Sequence, residues 1–196
     1  MSYPKYLTYL VLCFTFCLSC NQNGANDIDV ERIYNSLHEN EARILFQING
    51  KEFYTSESIF EGEIAISRNS FSMKLRDQFD SQTMINFEEQ TWYSNKPIKR
   101  QVFGNDQVGV GLKTGKIVDR DRMIGEGYVM SQGYISIPEF HEDKMIFTIS
   151  GKVGKYSDFQ EPEKYVPIEG WIIYKKPLIK FDGITEKDVF SPTGRQ

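Results

Sequence analysis

Along this chain the spacing of apolar side chains changes several times, and each change marks a different kind of segment. From Tyr6 to Leu18 the side chains are almost continuously apolar, relieved only by Thr8 and Thr15. Residues 21–27 are polar and include Gly24. Val30, Ile33, Tyr34 and Leu37 then recur at i, i+3, i+4 and i+7. That is the stripe of an amphipathic helix, with Asp27 or Asp29 available to cap it. The spacing predicts a short helical segment over residues 28–41.

From Ala42 the period falls to two. Ile44, Phe46 and Ile48 alternate with Leu45 and Gln47, and Asn49-Gly50 follows. Asn-Gly tolerates the positive φ of a type I′ turn, so a hairpin into residues 52–55 is expected. Residues 58–67 and 70–76 form the next pair across Arg68-Asn69, and 83–90 add another strand. Shorter strands are expected at 101–104, 108–112 and 116–118, punctuated by Gly104-Asn105-Asp106 and Gly115. Residues 127–130 and 134–138 read as a hairpin around Gln132-Gly133. The longest strands are 145–153 and 165–175, joined by a polar loop. No helical pattern of ten or more residues interrupts the series, which argues against βαβ crossovers and a parallel sheet. The expectation is an all-β fold, a single antiparallel β-sandwich or barrel of about 8–10 strands. It occupies residues 42–187, with a frayed tail over 188–196.

The apolar run at the start is far shorter than the ~20 residues needed to span a bilayer, and Lys5 precedes it, so it reads as a signal-peptide core. It ends in Leu18-Ser19-Cys20, which resembles the lipobox of bacterial lipoproteins. One departure is Cys17 at the position where that family usually carries Leu. The resemblance implies cleavage before Cys20, acyl chains on Cys20, and an anchor in the outer membrane or the periplasmic side of the inner membrane. The polar stretch 20–27 would then be a tether. Its seven residues after Cys20 reach at most ~25 Å, which keeps the domain near the membrane.

Composition narrows the function classes. Of 196 residues, 23 are Lys or Arg and 27 are Asp or Glu, a net charge of −4. The only local basic cluster is Lys96, Lys99 and Arg100, too small for a phosphate-backbone groove, so nucleic acid is not an expected partner. All three cysteines, Cys13, Cys17 and Cys20, lie in or at the end of the signal. The β domain therefore has no thiol for a disulfide or a thiolate metal site, and its stability must come from burial.

Candidate chemistry is sparse. The two histidines, His38 and His141, form no H-E-x-x-H, and no cofactor motif is present. Glu139, His141, Glu142 and Asp143 form the best acid/base or ion-binding cluster, but they follow Pro138 in what reads as a hairpin loop, where solvated charge is the plainer reading. Asp119 and Asp121 alternate with Arg120 and Arg122, which favours surface ion pairs over a carboxylate pair. Gly109, Gly111 and Gly115 lack the Gly-Lys-Ser/Thr of a phosphate loop and fit a glycine-bearing strand. No G-x-S-x-G elbow occurs.

Aromatic residues remain. Trp92, Tyr93, Trp171 and Tyr174 suit either a stacking surface or core packing, and the apolar stretch around Trp171 favours the core. The lipocalin family, which includes bacterial lipoproteins with eight-stranded barrels, is similar in architecture only, because its early G-x-W signature is missing here. The leading expectation is a non-enzymatic envelope lipoprotein whose β domain binds or scaffolds an envelope protein or glycan. The alternatives are a carrier of a small apolar ligand and a hydrolase built on the Glu139–Asp143 loop.

Overall fold

The computed structural model describes residues 28–103 and 109–191. The signal run 1–19, the lipobox with Cys20, the tether 20–27, the punctuation at 104–106, Val108 and residues 192–196 lie outside them. Among the described residues, no helix is long and apolar enough to cross a membrane.

Asp29 is the N-cap of α1 (Val30–Ser36), its carboxylate accepting from the Arg32 amide at 2.9 Å. The helix stops at Leu37, which turns extended and is buried. Eleven strands follow. They are β1 (Glu41–Ile48), β2 (Lys51–Glu52), β3 (Phe60–Ser67), β4 (Ser70–Asp77), β5 (Gln82–Glu88) and β6 (Ile98–Val102). The chain continues through β7 (Gly111–Asp119), β8 (Ile124–Phe140), β9 (Lys144–Lys155), β10 (Val166–Lys175) and β11 (Leu178–Asp182). It ends in α2 (Glu186–Phe190).

Eight strands close into an antiparallel barrel in the order β1-β3-β4-β5-β7-β8-β9-β10. Ala42 opposite Phe60 supplies the closing contact between β3 and β1. The two-residue period predicted from Ala42 onward is the reason. Ala42, Ile44, Phe46 and Ile48 point inward and are buried, while the residues between them are half-buried on the outer face. On β4, Phe71, Met73 and Leu75 fill the interior while Ser72, Lys74 and Arg76 face solvent.

Both mouths are plugged by aromatic side chains. The Asn49-Gly50 turn has positive φ at both residues (53° and 71°), as expected. The second strand of that hairpin is only two residues long, however, because Phe53 and Tyr54 leave the sheet and turn inward. Tyr54 packs edge-on against Phe53 and Phe60, and its hydroxyl meets Thr83 and Thr114 and donates to the Gln82 carbonyl at 2.9 Å. At the other mouth Trp92 packs against Phe71, Phe87 and Phe140. Its indole N–H lies 3.1 Å from both the Ser67 and Ser70 carbonyls.

Several sequence expectations need correction. Gln132-Gly133 is not a turn: β8 runs unbroken for 17 residues, pairing with β7 early, β6 late and β9 along most of its length. Gly133 has φ +132° and faces Gly151 on β9. A Cβ on Gly151 would fall 2.1 Å from the Gln132 carbonyl oxygen, so the two glycines let the strands coil together tightly. Gly115 likewise lies within one strand, β7, where two were expected. The barrel is antiparallel throughout, as expected, and β11 is added outside it by a parallel pairing with β3. Asn40 holds this added strand, its side-chain oxygen accepting from the Leu178 amide at 3.1 Å and the Tyr174 hydroxyl at 2.7 Å. Nor is the tail frayed from 188. Thr185 and Asp188 form a capping box, Val189 is buried, and Phe190 packs on Phe140 and Phe181.

Candidate functional site

The outer face of β1, β10 and β9 departs from the charged exterior expected of a barrel. Its rungs follow from register. Arg43, Ile173 and Ile146 form one, Leu45, Trp171 and Thr148 the next, and Gln47, Glu169 and Ser150 the third. The β10 and β9 members of the first rung are apolar, because α1 packs against β10 there. Ile146 and Ile173 are buried outside the barrel interior. Two hydrogen bonds and two cation–ring contacts dock the helix. Tyr34 donates its hydroxyl to the Asp143 carbonyl at 3.2 Å, and the Lys175 ammonium donates to the Leu37 carbonyl at 2.7 Å. Lys144 and Lys175 each lie 5.1 Å from the Tyr34 ring.

The second and third rungs are not covered by the helix. They floor a groove of about 600 Å³, within the size range of small-ligand sites. Ile28, just before α1, forms one wall, the Tyr54–Ser56 segment forms another, and the inward-facing Ile44, Phe46 and Ile149 also border the groove. That second wall is held by Arg43, whose guanidinium donates to the Ser56 and Ser58 carbonyls, the latter at 3.0 Å. Gly170, with φ +153°, lies between the two rungs on β10. A Cβ there would strike the Leu45 carbonyl at 2.0 Å, so only glycine lets β1 and β10 approach this closely beneath the groove.

Trp171 is half-buried and faces outward into this groove, which corrects the expectation that it packs in the core. Its neighbours Ile172, Ile173 and Tyr174 are the buried ones. The apolar run was real, but its two faces serve different partners. Trp92, the other indole, is fully buried in the plug. The two therefore do not share a stacking surface.

The acidic loop lies elsewhere. Glu139 pairs with Lys144 at 3.0 Å. His141 and Asp143 are exposed on the β8–β9 hairpin, and the Asp143 carbonyl accepts from the Lys176 amide at 2.7 Å. Glu142 bonds to Glu186, and this like-charge partner raises its carboxyl above the usual range. Among the described residues, no group of three or more His, Cys, Asp or Glu is placed to hold a metal. Asp119 pairs with Arg122 at 3.6 Å, as the alternating charges suggested.

Two other depressions are larger, at about 920 and 800 Å³. In the first, Arg76 and Glu63 are already engaged by Asp80 and Lys180. The second is floored by Gly115, Gly125 and Gly127, with Tyr156 lying over Gly127. Neither presents a half-buried aromatic ring framed by neutral hydrogen-bonding side chains.

The molecule is thus an eight-stranded antiparallel barrel, sealed at both mouths and grooved on one outer face. Comparison with protein families, curated proteins and solved structures found no match to this chain.

Proposed function

We propose that this chain is a lipid-anchored cell-envelope lipoprotein whose barrel binds another envelope component, without catalysis, through the Trp171 groove. One observation carries the reading. An indole that could have been buried is instead presented beside Leu45, Gln47, Thr148, Ser150 and Glu169 on rungs fixed by strand register. Half-exposed tryptophan among polar side chains is a recognition surface more than a packing solution. The anchor rests on Leu18-Ser19-Cys20, which would carry acyl chains on Cys20. A binding role without catalysis fits the commitment of Glu139 to Lys144 and the exposure of His141 and Asp143 on a hairpin.

A carrier role, with ligand inside the barrel, has one point in its favour, the closed eight-stranded shape. It would require the Tyr54 or Trp92 plug to swing out of a packed aromatic cluster.

The test is photocrosslinking in intact cells, with a benzophenone side chain at Leu45 or, as a control, at the exposed Val118 on β7. The proposal expects a discrete adduct from position 45 and none from 118. Equal labelling from both positions would remove the groove as the binding face.

A further inference from the structure

We infer that the groove takes a glycan carrying amino sugars, with a pyranose ring laid on the Trp171 indole and its amine toward Glu52 and Glu169. This rests on the reading of the groove as the binding face and names its ligand class.

Charge is the first ground. Glu52 and Glu169 are the only charged side chains lining the groove among the described residues, and the cation beside it, Arg43, is turned to the Ser56 and Ser58 carbonyls of its wall. A ligand that brings its own positive charge is favoured, and one bearing carboxylate or sulfate is disfavoured. The second ground is the neutral side chains. Gln47, Ser56, Thr148 and Ser150 offer amide and hydroxyl groups around the ring, suited to a ligand studded with hydroxyls. The indole N–H of Trp171 has no protein acceptor among the described residues, whereas that of Trp92 is taken by Ser67 and Ser70. The third ground is stacking. Sugar rings present apolar C–H faces that sit on an aromatic ring, and Leu45 and Ile28 extend that apolar floor.

The backbone disfavours a peptide ligand. β9 and β10 each have paired strands on both sides. No free edge exists on those two strands for strand addition, and β1 is open only between its β3 and β2 pairings, where the Thr55-Ser56 wall stands. The three strands of each rung span about 10 Å at ~4.8 Å spacing, which makes the floor extended rather than a pinpoint pocket.

The experiment uses the full chain solubilised in a detergent without a sugar headgroup. Trp171 is the half-exposed one of two tryptophans, so acrylamide quenching of indole fluorescence reports on the groove. Three probes are compared: a glucosamine hexamer, its fully N-acetylated counterpart and a galacturonate oligomer. The glucosamine hexamer is expected to protect Trp171 from quenching and to give a calorimetric binding isotherm. Binding should weaken about tenfold in Trp171→Ala and in the Glu52→Gln, Glu169→Gln double variant, with Trp171→Phe retaining more than Trp171→Ala. The N-acetylated hexamer should bind more weakly, and galacturonate should not bind. Equal binding of galacturonate, or glucosamine binding unchanged in Trp171→Ala, would overturn the inference. If isolated envelope membranes protect Trp171 but no amino-sugar oligomer does, the ligand class is wrong while the groove reading stands. If neither protects it, both fall.

Discussion

Trp92 and Trp171 take the same side chain into opposite environments. Trp92 is fully buried with its N–H satisfied, and Phe71, Phe87 and Phe140 surround it. Trp92→Ala should therefore cost about 3–5 kcal/mol of unfolding free energy. Trp171→Ala, at a partly buried position, should cost clearly less than Trp92→Ala, about 1–2 kcal/mol. Urea titration of both variants checks the pair, and equal losses would mean that Trp171 is a core residue after all. Tyr54 offers a second test. Burial pushes its phenol up to about 12, because the charged form would lose water. A raised folded pKa stabilises the protein fully below the unfolded value near ~10 and loses that contribution as pH rises through the folded value. Tyr54→Phe should cost about 1 kcal/mol at neutral pH, since Thr83 and Thr114 can still bond each other at 2.9 Å. It should also flatten the fall in Tm between about pH 10 and 12. An unchanged alkaline profile would mean that Tyr54 does not plug the mouth.

At the scale of elements, legibility followed periodicity. The helix at Val30, the hairpin of β3 and β4 and the long strands β9 and β10 were all visible, because one buried face imposes one repeat. Three features escaped for physical reasons. Gly133 carries the composition of a turn but serves as a close-approach point within β8. Phe53 and Tyr54 continue an alternating pattern, yet leave the sheet to fill a mouth that exists only once the barrel has closed. In the Trp171 stretch both faces are apolar, and nothing local says that α1 covers Ile173 but stops short of Trp171. The acidic loop was legible as a loop, and within it Glu139 is taken up by Lys144. The tail was misread because Val189 and Phe190 gain their partners only from β8 and β11. Val189→Asp tests that correction. It should remove the ~1.5–3 kcal/mol that a buried valine contributes and expose α2 amides to hydrogen exchange. A variant as stable as the parent would restore the frayed tail.

The whole molecule stands on closure and burial, since no cysteine follows Cys20 in the sequence. Reductant should leave its Tm unchanged. Cys20→Ser should leave an uncut, unacylated precursor with the barrel intact, read by the mass of the extracted protein and by circular dichroism. Release of a protein that was never acylated, cut elsewhere than before Cys20, would make it an ordinary exported barrel. The claim that joins these scales is that recognition occurs on the outer rungs of β1, β10 and β9, with the sealed interior playing no part. Backbone amide NMR, with a sugar-containing soluble extract of the envelope titrated in, tests it most directly. The account predicts shifts centred on Leu45, Gln47, Thr148, Ser150, Glu169 and Trp171, with the groove walls at Ile28, Glu52 and Ser56 following. Shifts at Thr83, Thr114 and Trp92 with the outer rungs silent would contradict it, and would make the barrel a carrier.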